Sequence, residues 1–142
     1  MSSRRLTGEE IKMLERVFGD EIDYKKIKIN EDHWTSQIEG VGAFVFGNNI
    51  QLSGKYKNDR RILIHETAHV WQFQKTMGWE YFFSALFDHI LARIDGHDPY
   101  DYLKVLGKKA WEKWGVEQQA QWIGDNEKLP PFEIRFPKVK KA

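Results

Sequence analysis

At 142 residues, with 22 Lys and Arg against 21 Asp and Glu, the chain is long enough for one hydrophobic core and carries a net charge of only +1. That balance argues against nucleic acid or an anionic membrane as partner, and no apolar run approaches the ~18 residues that span a bilayer. Cysteine is absent, which excludes disulfides, thiolate metal sites and a cysteine nucleophile.

Met1-Ser2-Ser3-Arg4-Arg5 is followed by no apolar stretch of signal-peptide type, so the expected location is the cytoplasm, or export by a route without a cleaved signal. Leu6 to Phe18 reads as a first helix. Thr7 and Glu10 are spaced as a capping box, and Ile11, Leu14, Val17 and Phe18 recur at helical spacing before Gly19-Asp20 ends the run. Lys26 to Asn30 alternates polar and apolar residues, the period of a half-buried strand. Val41–Phe46 and Asn49–Leu52 flank Gly47-Asn48 and predict a β-hairpin. After Lys55-Tyr56-Lys57, Asn58 or Asp59 caps a helix that runs through Ile62, Leu63, Ile64, Val70, Trp71 and Phe73 to a stop near Gly78. Apolar residues lie on nearly all its sides, so it is expected to be buried. A further helix is predicted over Glu80–Ile94, a turn over Asp95–Pro99, and short helices over Tyr100–Leu106 and Lys108–Ile123. Pro130-Pro131 ends the helical part. Residues 129–142 read as an extended strap with a basic tail of a single 1–142 domain. The expected class is α+β, a small antiparallel sheet followed by a helical bundle.

The buried helix carries His65-Glu66-Thr67-Ala68-His69, an HExxH motif. Four residues make slightly more than one turn, so the two imidazoles project from one face and can take two corners of a tetrahedral zinc site. Glu66 is placed to accept a proton from water at such a site. Two histidines and a glutamate inside a buried helix need partners, because an unpaired buried polar group costs a few kcal/mol, roughly. A metal supplies them for the histidines.

Catalytic zinc takes a third protein ligand and keeps one position for water. The downstream donors are His89, Asp95, His97, Asp98, Asp101, Glu112 and Glu117. A metzincin would carry a histidine where this chain has Lys75, so that class is excluded. Glu117 is the preferred ligand: it sits in Trp114–Gln121, in a later helix able to lie antiparallel on the motif helix, as in glutamate zincins. A glutamate considered alone is by default a solvated surface residue. Asp95, in a loop after the motif helix, is the rival. His89, His97, Tyr100 and Tyr102 are the candidate oxyanion donors, each more commonly a surface residue than a catalytic one.

Leu6-Thr7, Glu9-Glu10-Ile11, Val17-Phe18-Gly19-Asp20, Ile22-Asp23-Tyr24, Ile64-His65-Glu66, Ala68-His69-Val70-Trp71-Gln72 and Glu117-Gln118-Gln119-Ala120 occur in an order that resembles the Vgr-related, or Rhs-element-associated, zincin-like metallopeptidases of bacteria. The resemblance covers most of the first 120 residues or so and stops near Asn126. It implies a minimal zincin-like fold, Zn2+ at His65, His69 and Glu117, and partners among Vgr/Rhs proteins of a type VI or related contractile secretion system. It supplies no substrate beyond a peptide or protein. With Glu66 as general base, the chain is expected to hydrolyse peptide bonds through a metal-activated water, and the hairpin is expected to bind extended substrate by backbone pairing. The alternative from another class is a weakly active or inactive zincin-like adaptor or chaperone of a secreted toxin. In that reading zinc serves structure and the six tryptophans serve as interface anchors.

Overall fold

The computed structural model describes residues 3–31, 43–52, 58–75, 101–109 and 111–127. Within them the chain is α+β: four short strands in one sheet and three α-helices. The predicted helix over 80–94, the turn over 95–99 and the C-terminal strap lie outside the described residues.

Helix α1 (Gly8–Phe18) begins where the capping box requires. The Glu10 amide donates to Thr7 Oγ1 (3.1 Å) and the Thr7 amide donates to Glu10 Oε1 (2.8 Å). Leu14, Val17 and Phe18 form its buried face. Gly19 ends it at φ 57°, a left-handed value that favours glycine. The Tyr24 hydroxyl then donates to the Gly19 carbonyl (2.6 Å) and ties the exit loop to the helix end.

Strand β1 (Ser3–Arg5) has no sequence signature, yet it pairs antiparallel with β2 (Lys28–Asn30). Arg4 holds it there. Its guanidinium donates to both carboxylate oxygens of Glu10 (2.8 and 3.1 Å) and to Glu31 Oε1 (2.6 Å). Burial alone pushes the Glu10 carboxyl up; the hydrogen bonds from Arg4 and the Thr7 amide outweigh it and bring the carboxyl below its usual range.

The hairpin forms as expected, with β3 (Ala43–Phe46) antiparallel to β4 (Asn49–Leu52) around Gly47 at φ 64°. The sheet differs from expectation in being mixed rather than antiparallel. Its order is β1-β2-β4-β3, and β2 lies parallel to β4 with Ile29 opposite Ile50. The hairpin inserts its second strand beside β2, which buries Ile29, Ile50 and Leu52 together in the core. Asn49–Leu52 is therefore an interior strand and cannot receive a peptide. Among the described residues, the edge on that side is β3.

Helix α2 (Arg60–Lys75) is capped by Asp59, whose Oδ1 accepts from the Ile62 amide (3.1 Å). It buries Leu63, Ile64, Thr67, Ala68 and Val70, and packs on β3, β4 and α3 (Val116–Asp125). An ion pair between Arg61 and Asp125 joins the start of α2 to the end of α3, so the two helices run antiparallel. The helix predicted over 108–123 is broken. It opens as a 3₁₀ turn at Trp111–Lys113, and α3 starts afresh after Gly115, whose ψ of 152° is extended. Trp111, Trp114 and Trp122 are buried, with Trp111 in contact with each of the other two, and serve the core rather than a surface.

Candidate metal centre

The break at Gly115 sets the position of Glu117. The Gly115 amide donates to Gln118 Oε1 (2.8 Å), half of a capping box, and this caps α3 two residues before the carboxylate. Glu117 thus stands in the first turn, where the helix dipole favours negative charge. The antiparallel packing then turns it onto the middle of α2.

On α2, His65 and His69 lie one turn apart and meet edge to face, with ring centroids 5.1 Å apart and planes at 78°. Glu117 Oε1 lies 3.2 Å from His65 Nε2 and 2.5 Å from His69 Nε2. The three side chains are mostly buried, at 13–17% exposure. One ligand atom from each falls within 4.8 Å of the others. Bonds of about 2.1 Å to a tetrahedral ion place ligand atoms about 3.4 Å apart; the two contacts of Glu117 are somewhat shorter than this, and all three atoms lie within 4.8 Å of one another. Two imidazoles and a carboxylate are also the right chemistry, since all three are neutral or anionic donors to a divalent cation. The group can hold a metal ion.

Without a metal the centre is held by a proton. Burial pushes the His69 imidazole pKa down, but the charge and hydrogen bond of Glu117 outweigh it, helped by the charge of Glu66 and the bond to Gln72. The result is a pKa raised to about 9. Glu66 itself is buried at 8% exposure on the same helix.

Of the other donors, Asp101 is not in the centre: its Oδ1 accepts from the Leu103 amide and caps a 3₁₀ turn. Tyr102 is also placed elsewhere. Its hydroxyl donates to Asp125 Oδ2 (3.0 Å), eight residues or about 12 Å along α3 from Glu117, and its ring stacks on Trp114. His89, Asp95, His97, Asp98 and Tyr100 lie outside the described residues, as does the Glu112 side chain. Two residues carry no role from sequence: Gln72, which touches His69, and Gln119, which touches Gln72. The spacing of Gln72, three residues after His69 on the same helix, is the signal that could have found it.

No family model, curated protein or solved structure matches the chain. No helix among the described residues is long and apolar enough to cross a membrane.

Proposed function

We propose that this chain is a zinc-dependent peptide-bond hydrolase of the glutamate-zincin type, with His65, His69 and Glu117 as ligands and Glu66 as general base. One observation carries the reading: an HExxH helix and a glutamate 52 residues beyond its first histidine converge on a common point. Of the three, Glu117 has no local sequence relation to the others, so its arrival there is a tertiary fact that the metal explains.

A zinc ion held by these side chains supplies Lewis acidity, lowering the pKa of water toward neutrality and polarising a carbonyl. The residues do the rest. Glu66 accepts the proton of the attacking water on its carboxylate and passes it to the nitrogen of the leaving amine. The imidazoles act as neutral donors, which requires His69 to give up the proton that Glu117 stabilises in the metal-free protein. Strand β3 packs beside α2 and, among the described residues, pairs only on its β4 side, leaving its other edge for an extended peptide.

The ordered motifs that resemble the Vgr-related zincin-like family extend the proposal to membership of that family and to a partner in a contractile secretion system. Elemental analysis tests the metal. About one zinc per wild-type chain is expected, lost in His65→Ala and in Glu117→Ala. Turnover of a fluorogenic peptide library by wild type, absent in Glu66→Gln, tests the reaction. Zinc bound without turnover by wild type would return the chain to the adaptor reading.

A further inference from the structure

A chain of buried amides runs from the centre into the aromatic core. His69 Nδ1 lies 2.8 Å from Gln72 Oε1, Gln72 Nε2 donates to Gln119 Oε1 (2.7 Å), and Gln119 Nε2 donates to the Trp111 carbonyl (2.8 Å). Gln72 has no exposed surface and Gln119 has 8%. An uncharged amide can be turned end for end, so a glutamine alone does not say whether a histidine donates to it or accepts from it. Here the last member decides. A backbone carbonyl can only accept, so Gln119 must present its NH2 to Trp111 and its oxygen to Gln72. Gln72 must then present its NH2 to Gln119 and its oxygen to His69. His69 is left one way to complete the bond, with the proton on Nδ1.

We propose that Gln72 and Gln119 are positioning residues that hold His69 with its proton on Nδ1 and its Nε2 lone pair toward the metal, in an orientation set by the Trp111 carbonyl. The same relay stitches the two ligand-bearing helices together, since Gln72 follows His69 on α2 and Gln119 follows Glu117 on α3. A flipped relay would leave two buried carbonyl oxygens facing each other, which the interior penalises. The proposal rests on the metal reading given above and assigns a role to residues outside the ligand set.

Two measurements test it on the full chain. Ring 15N–1H spectra of zinc-loaded wild type are expected to show a protonated, exchange-protected Nδ1 at His69. Zinc affinity by competition with a chromophoric chelator is expected to fall roughly 10- to 100-fold in Gln72→Met, which keeps the volume and removes the acceptor. Gln72→Glu combined with Gln119→Met, which keeps an acceptor toward His69 and removes the Gln119 oxygen that a carboxylate would otherwise face, is expected to recover most of that loss; a role confined to packing would not separate it from Gln72→Met. Zinc bound with an unprotonated His69 Nδ1, or equal affinities in wild type and Gln72→Met, would overturn the relay and leave the metal site standing. No zinc binding by wild type would overturn the metal reading and with it this role of the relay.

Discussion

Glu117→Gln removes a ligand and a charge at once, and the two losses act in opposite directions on zinc binding at neutral pH. In the metal-free wild type, His69 is buried, which lowers its pKa, but Glu117 at 2.5 Å outweighs that and the value reaches about 9. The rise from 6.5 corresponds to roughly 3 kcal/mol. Zinc must displace this proton, so wild-type affinity is expected to gain about tenfold per pH unit up to about pH 9. In the variant burial persists while the main opposing charge is gone, so His69 returns toward or below its ordinary value and its proton no longer competes above neutrality. The affinity deficit of Glu117→Gln is therefore expected to widen by on the order of a hundredfold between pH 7 and pH 9. Competition against a chelator calibrated at each pH reads it directly. A deficit of constant size across that range would refute the reasoning, because Glu117 would then not be holding the His69 proton.

The same linkage bears on stability. A folded-state pKa above the unfolded value contributes stability that is complete below about pH 6.5 and is lost as pH rises through about 9. The metal-free protein is thus expected to weaken toward urea between those limits, and a flat or rising profile would count against the His69–Glu117 pair. Zinc at a hundredfold excess over its Kd is expected to add about 2.7 kcal/mol, seen as a rise in Tm that EDTA reverses. Glu66→Gln is expected to keep zinc and lose turnover; hydrolysis by the purified variant would remove Glu66 from its role. Thr7→Ala deletes the acceptor for the Glu10 amide and is expected to cost about 1 kcal/mol in denaturant unfolding without changing zinc content.

Several features are legible in the amino-acid sequence because their causes lie within a few residues. The capping box at Thr7 and Glu10, the turn at Gly47, the Asp59 cap and the shared face of His65 and His69 all follow from hydrogen bonds or helical spacing inside one turn. The burial of α2 on most of its sides follows from its composition.

What the tertiary structure decided is everything that depends on which distant surfaces meet. Ser3–Arg5 has no strand pattern and becomes one because Arg4 finds Glu10 and Glu31 while β2 offers an unpaired edge. The parallel register of β2 with β4 is set by burying Ile29 with Ile50, not by any turn. The helical pattern over 108–123 conceals a break at Gly115, where a local amide bond to Gln118 competes with the continuing helix. Glu117 is one carboxylate among several by sequence, and only the antiparallel seating of α3 on α2 brings it to His65 and His69. Spacing places Gln72 on the face of His69, but the part of Gln119 and the direction of both amides are decided only by the Trp111 carbonyl. Spacing along a helix determines which side chains share a face; packing between helices determines what that face meets.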